Sequence, residues 1–520
     1  MRRFSTLILA LCLVFPFATA KGLSYSSKKG LGENFTDRNG TFSTHAVPEE
    51  FPEEDTPLYN VTVNGAYVGL YNDRNHWGGL VHFGSFEFEN GREITVRISY
   101  YRPIKSYEVL PGKQLTLLSV KQTGRNSLEI KMDKADQNLT IVVNGEPKKH
   151  VLHLFCNSID HKAPSVPDTK GYHRYEAQKL HYFGPGYHDL KKLIQTDLLQ
   201  IEDGWSVYLA AGAVVYGSLR MSETKKWVQV YGRGMIYNDT RNPRVIFDAS
   251  YCKGALVNGI LFHCHRAQCW QVAISHCENI EFKQVKILGT RYASTDGLDI
   301  INCRQCAFLN TFIRANDDAI AIKGLGGQKP ADSDPNCNLT FCGMQLWNDC
   351  NCAMGIGAEN HCSLYENIRF MNSSILFSYD DPDYHEMLDE RAALTICCIH
   401  GTYFRNISYD NIDVYHCERL IAAGFQPNFW FGSLKGDQST PGGIDGITYR
   451  NIRSFNNSGS RIANKIHLYG WSGKDGTPSK TVNNVTFENL EVEGKKVEST
   501  ENPLFSESDM TTVKNITFKK

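Results

Sequence analysis

From residue 279 to the end of the chain one short phrase recurs: asparagine or glycine, then an aliphatic, a polar and an aromatic residue. It reads Asn279-Ile280-Glu281-Phe282, Asn367-Ile368-Arg369-Phe370, Asn406-Ile407-Ser408-Tyr409, Gly446-Ile447-Thr448-Tyr449, Asn484-Val485-Thr486-Phe487 and Asn515-Ile516-Thr517-Phe518. Apolar residues at alternate positions mark short strands, and no long stretch of helical periodicity separates them. A strand this short buries its apolar side only by stacking on the next copy, which is the condition that defines a solenoid. The phrase therefore predicts the coils of a right-handed parallel β-helix over residues 181–520, with loops inserted at irregular intervals. A second large sandwich is the alternative reading.

Residues 51–160 have another texture. Period-2 runs end in Asn-Gly, as in Val61-Thr62-Val63-Asn64-Gly65 and Leu139-Thr140-Ile141-Val142-Val143-Asn144-Gly145. Such runs read as antiparallel hairpins and predict a β-sandwich. The fold class expected is thus all-β, a β-sandwich followed by a parallel β-helix, with residues 161–180 as linker. Residues 21–50, polar and rich in glycine and serine, are expected to be flexible. The first twenty residues combine Met1-Arg2-Arg3, an apolar run from Leu7 to Phe17 and Ala18-Thr19-Ala20, the order of a secretory signal peptide.

A secreted, extracellular protein follows from that leader. No later apolar run approaches the length of a membrane span, so no membrane partner is expected. The formal net charge of -1 is spread over interspersed acids and bases, which excludes the concentrated basic face of a nucleic-acid binder. Past the leader, fifteen cysteines and recurring Asn-X-Ser/Thr sequons suit a disulfide-bonded glycoprotein, with at least one cysteine left over. Cys337 with Cys342 and Cys350 with Cys362 are candidate staples. A monomer is expected.

Two acidic clusters carry the chemistry: Ser294-Thr295-Asp296-Gly297-Leu298-Asp299 and Asn316-Asp317-Asp318-Ala319. Asp296 precedes Asp317 by 21 residues and Asp318 by 22, the length of one coil, so the clusters should occupy equivalent places on consecutive rungs. Rungs lie about 4.8 Å apart. Side-chain reach then leaves room for a water between an acid and a base, the arrangement of an inverting glycosidase. Carboxylates packed this closely resist joint ionisation, which raises one of them into a proton donor. Asp317 is assigned as general acid, with Asp296 and Asp318 positioning and deprotonating the water. Asp-Asp and Asp-Gly also make plain turns, which is the competing explanation.

The run from Ser294 to Asp299, followed by Asp317-Asp318-Ala319-Ile320-Ala321-Ile322-Lys323, resembles the core of the β-helical glycoside hydrolases. It is closest to the dextranase and isopullulanase family (family 49) and related to the polygalacturonase family (family 28). The resemblance implies that the first aspartate of the pair is the acid and that the other two handle water. It also implies an N-terminal sandwich, which the dextranase-type family carries. Polygalacturonases have Gly-His-Gly where this chain has Asn351-Cys352-Ala353, and their later Arg-Ile-Lys has no counterpart between Ile396 and Arg419. A neutral α-glucan such as dextran is therefore the expected polysaccharide, with pectin, or a silent carbohydrate-binding role, as alternatives.

Further substrate-binding candidates are Asp299, Lys323 and Glu359, which follow the motif positions, Tyr379 in an acidic insertion, and Phe429 and Trp430 in the aromatic stretch Phe425–Gly432. No cofactor and no metal are expected. His263 and His265 share one face of a strand while Cys264 points to the other, so these three do not converge on one zinc.

Overall fold

The computed structural model describes residues 31–519 apart from 53–54, 241–244, 327–329, 381–390, 427, 430–433, 457–464, 474–475 and 509–510. The expected signal peptide lies outside the described residues, and among them no helix is long and apolar enough to cross a membrane. The chain folds as an N-terminal β-sandwich and a parallel β-helix, as the repeat and the hairpin signals imply.

Each central coil contributes three strands. One coil runs through Glu278–Lys283, Lys286–Gly289 and Leu298–Ile301, the next through Arg304–Leu309, Phe312–Ala315 and Ile320–Gly324, and the next through Asn336–Cys342, Gln345–Asn348 and Met354–Asn360. Equivalent strands pair in parallel. They build a 22-stranded sheet that wraps the first two faces of the coils and an 11-stranded sheet that forms the third.

The recurring phrase explains this stacking. Its aromatic position points inward, and Phe282, Phe308, Phe341, Phe370, Tyr409, Tyr449, Phe487 and Phe518 form one continuous stack with centroids 4.6–5.4 Å apart. These spacings match the strand repeat and the preferred offset of aromatic pairs. Its first residue makes the bend: Asn279, Asn338, Asn367, Asn406, Asn484 and Asn515 have φ between 53° and 58°. Asparagine tolerates that left-handed conformation because its short amide bonds locally. The amides stack as well, with Asn406 Nδ2 donating to Asn367 Oδ1 at 2.6 Å and Asn367 Nδ2 to Asn338 Oδ1 at 3.0 Å. The sequons at Asn338, Asn372, Asn406, Asn484 and Asn515 all stand at such left-handed positions, so their recurrence has a conformational cause independent of glycosylation.

The sandwich pairs a five-stranded sheet with a seven-stranded one around their own core. The outer face of the larger sheet is buried too: Phe83, Val151 and Phe155 pack with Leu261, Leu288, Phe312 and Trp347 of the β-helix. This is why Val151–Ser158 is buried on both faces over all but its last residue. Inside the same interface Arg314 binds Asp349 through contacts of 3.0–3.3 Å and meets His153 at 3.2 Å, all three fully buried.

Three local expectations differ from what is observed. Within 21–50, Phe35–Thr36 and Phe42–Thr44 are strands of the larger sandwich sheet, because Phe42 is apolar and fills the core. Within 161–180, Tyr172–Tyr175 pairs antiparallel with Leu180–Phe183 and so belongs to the β-helix. Cys337 and Cys342 are separate thiols, and Cys362 Sγ points to the carbonyls of Asp334 and Leu364 instead of making a staple. Most cysteines are small inward-facing residues of the coil core.

Replacing a central ring of the aromatic stack removes contacts on two sides. Phe341→Ala is expected to lower unfolding free energy by about 3–5 kcal/mol, read from denaturant melts of the purified chain.

Candidate active site

The bends between the second and third strands of successive coils hold both acidic clusters. Leu298 pairs with Ile320 and Ile320 with Met354. Counting back from those pairs, Asp296, Asp318 and Cys352 form one outward column on consecutive coils, and Asp317 and Asn351 form the column beside it. Val272 pairs with Leu298, so Trp270 stands at the head of the first column. The one-coil spacing expected between the clusters is thus met by Asp296 and Asp318. Gly297 is required at this crossing, since a Cβ there would lie 2.6 Å from the Ala319 carbonyl oxygen and 2.3 Å from Ile313.

Each carboxylate has a distinct environment. Asp317 accepts three N–H groups, from Ser294 N at 2.9 Å, Asp318 N at 3.0 Å and Asn351 Nδ2 at 2.8 Å. Asp318 accepts the Cys352 N–H at 3.1 Å. Asp296 accepts a 2.8 Å hydrogen bond from Lys323 Nζ, which also lies 2.8 Å from Asp299 Oδ1. Lys323 reaches both because Ile301 and Lys323 are in register, which places the ammonium one coil from Asp299. Its nitrogen sits 4.1 Å from the centre of the Trp270 ring.

The three catalytic candidates are only 3–9% exposed. Burial pushes the carboxyl of Asp296 well above the usual carboxylate range; Lys323 opposes this, while the neighbouring aspartates reinforce it. Burial, followed by the charge of Asp317, does the same to Asp318. Asp299 is also raised by burial, with Lys323 opposing. Desolvation works against the charge of Lys323, but the surrounding carboxylates outweigh it and hold it ionised. The groups pushed toward protonation are thus the column pair and Asp299, whereas the sequence argument placed a raised carboxyl at Asp317. Three convergent N–H donors instead fix the orientation of Asp317.

Among the other candidates, Asp299, Lys323 and half-buried Glu359 are brought together at the foot of the column, where Glu359 acts on the charge of the other two. Tyr379 is not. It is 7% exposed, stacked on Phe377 at 4.7 Å and covered by Lys148 of the sandwich. Phe429 lies in a two-residue strand paired with Leu434–Lys435, and Trp430 lies outside the described residues. Cys352, which stands where a histidine was sought, contributes its backbone N–H. Burial and then Asp318 push its thiol well up, so it stays neutral.

Sequence reasoning missed Asn351 and Trp270. Asn351 adjoins Cys352 and takes φ 75°, a conformation to which asparagine is suited. Trp270 precedes Asp296 by one coil of 26 residues, a length that differs from the next coil and hides the relation.

Residues 206–348, which include both clusters, match the model of Glycosyl hydrolases family 28. The architecture is similar to that of Dex49A from Penicillium minioluteum, with TM-score 0.63, 11% identity, and coverage of 94% of this chain and 100% of that one. Weaker structural matches include a family 28 exopolygalacturonase from Yersinia enterocolitica, with TM-score 0.43, 10% identity and coverage of 82% and 97%. A polygalacturonase from Erwinia carotovora ssp. carotovora gives TM-score 0.41 at 12% identity, covering 62% of this chain and 87% of that one. No curated protein matches the chain in sequence. The carboxylate-bearing coils are thus related to family 28, and the sandwich with its β-helix is the fold of Dex49A.

A carboxyl whose pKa is raised in the folded protein weakens the fold as pH rises. Between the ordinary value of 3.8 and the raised one the unfolded chain releases its proton while the folded chain keeps it, so unfolding gains. Asp318→Asn retains the acceptor for Cys352 N–H and removes the buried charge. It is expected to stabilise the protein by about 0.5–2 kcal/mol at pH 7 and to lose that advantage near pH 3, in thermal melts at the two pH values.

Proposed function

We propose that the protein is a secreted inverting glycoside hydrolase that cleaves a neutral polysaccharide, an α-glucan of the dextran type. The observation that carries this reading is the pairing of Asp296 and Asp318 in one column, one coil apart, with Asp317 in the adjacent column. Two carboxylates on neighbouring rungs can hold and deprotonate one water between them. A third carboxyl displaced sideways can then protonate the leaving glycosidic oxygen on the far side of the sugar. Lys323 tunes the water pair: it opposes the burial-driven rise at Asp296 and so favours the base form of that group.

In this mechanism the water attacks the anomeric carbon as Asp296 and Asp318 take its proton. The glycosidic oxygen leaves with the proton of Asp317, and the product carries inverted configuration. Asp317 takes up a proton from solvent again before the next turnover.

Neutrality of the substrate is supported by the coils that follow. In register with Asp299 stand Ala321, Gly355, Thr395 and Ala422, none of which carries a charge, and the first residue of this column able to pair with a uronate carboxylate is His467, five coils from Asp299. Lys323 is already committed to two aspartates, and Arg391 to Asp380. A pectin-type substrate is the second reading, favoured by the family 28 match over residues 206–348. Secretion rests on the leader-like first twenty residues.

Reducing-sugar release from dextran, pullulan and polygalacturonate between pH 4 and 7 tests the assignment. Release from dextran with initial formation of the inverted anomer, followed by NMR, is expected. Saturable binding with no new reducing ends on any polymer would make the protein a carbohydrate binder. Asp317→Asn should lower kcat by about 10²–10⁴-fold on the polysaccharide and much less on an aryl glycoside whose leaving group needs no proton, while Asp296→Asn should fail on both. Lys323→Met should move the acidic limb of kcat/KM to higher pH, because the cation that opposes protonation of Asp296 is gone.

A further inference from the structure

The interface between sandwich and β-helix encloses a second polar cluster. Asp73 comes from the sandwich strand Tyr71–Arg74; His263 and His265 come from the end of the coil strand Leu261–Cys264 and the residue after it. All three are at most 1% exposed. One ligand atom from each lies within 4.8 Å of the other two. His263 Nε2 is 3.2 Å from His265 Nδ1, and His265 Nδ1 is 3.7 Å from Asp73 Oδ2. Cys264, as strand alternation requires, turns inward to the coil core, and the third ligand comes from a segment almost 200 residues earlier in the chain.

The proton inventory of this cluster is informative. His263 Nδ1 lies 3.1 Å from the Leu288 carbonyl, which only accepts, so Nδ1 carries the hydrogen and Nε2 presents a lone pair. The Pro52 carbonyl favours an N–H on the far side of the His265 ring, although Nε2 makes no well-oriented hydrogen bond there. Between the rings His265 Nδ1 donates to His263 Nε2 at 3.2 Å, and moving that one proton to His265 Nε2, on the Pro52 side, presents a lone pair at Nδ1 as well. Two lone pairs and a carboxylate thus face one another inside an apolar wall made by Phe51 and Phe83, at 4.9–6.3 Å from the imidazoles. Arg291 approaches the other oxygen of Asp73, at 3.9 Å.

We propose that Asp73, His263 and His265 bind a divalent transition metal, zinc by the chemistry of its donors, which fastens the sandwich to the β-helix. Tetrahedral zinc with bonds of about 2.0–2.1 Å spaces its ligands about 3.4 Å apart, and the two observed edges bracket that value. Imidazole nitrogens whose remaining N–H faces a backbone carbonyl are the usual second sphere of such a site. Hard cations of the calcium class prefer all-oxygen donors and do not suit it. The burial of all three ligands gives the metal a structural role, separate from the hydrolytic column, and the proposal does not depend on the protein being an enzyme.

The experiment uses the full chain produced in zinc-supplemented medium, desalted and analysed for metal, with thermal melts before and after treatment with a strong chelator. One zinc per chain is expected in the wild type, with a lower melting temperature after removal and recovery on adding zinc alone. Asp73→Asn, which keeps the side-chain shape, should retain less than a tenth of that zinc. Wild-type protein without divalent metal whose melting temperature ignores zinc, or Asp73→Asn with a full equivalent, would overturn the proposal. Should Asp73→Asn not fold, the cobalt-substituted wild type decides. Visible bands without thiolate charge transfer support the His/Asp set, and strong thiolate charge transfer places the metal on cysteine and overturns it.

Discussion

In-register stacking of one coil on the next is the constraint on which the rest of this structure depends. A single coil has two exposed faces of unpaired peptide groups and a half-filled interior. Only the neighbouring coil satisfies both, through parallel hydrogen bonds outside and the column of rings from Phe282 to Phe518 inside. Register cannot slip by a residue without turning that column to solvent. Because the interior locks register, the exterior columns are locked too, and residues far apart in sequence meet at a fixed rung spacing.

The acidic column exploits this rigidity. Asp296 and Asp318 would not stay together as free carboxylates, since burial raises the proton affinity of both, Asp318 adds to the rise at Asp296 and Asp317 to that at Asp318. They are held by backbone that is committed to the sheets on either side, and Lys323 supplies a cation that offsets part of the repulsion. Stability sacrificed in the bend is drawn from the much larger store in the stacked coils. The sandwich adds a second rigid body against another face, joined by apolar packing and by buried polar groups such as Arg314 with Asp349 and Asp73 with the two histidines.

Much of this was legible in the chain itself. The αL asparagine and the inward aromatic of each phrase are local requirements, so they appear as a local pattern. The two acidic clusters were legible for a related reason: the coil that separates Leu298 from Ile320 has no inserted loop, and sequence distance there equals one rung. Where loops intervene the relation disappears. Trp270, Asn351 and Arg391 belong to the same pair of columns, yet the intervals between their coils differ, and nothing in the sequence marks them as neighbours. Tyr379 erred in the other direction, for an aromatic in an acidic stretch suggests a sugar platform, whereas the sandwich covers it.

By itself, then, the sequence determined the fold class, the coil grammar and the identity of the carboxylates, because these follow from repeating local preferences and from motifs within one rung. Only the tertiary structure decided which aspartates share a column, which group holds the cation, where Cys352 stands in relation to Asp318, and that Asp73 closes on His263 and His265. Those relations depend on how many residues each loop consumes and on how two domains dock, and neither quantity is encoded in the spacing of residues along the chain.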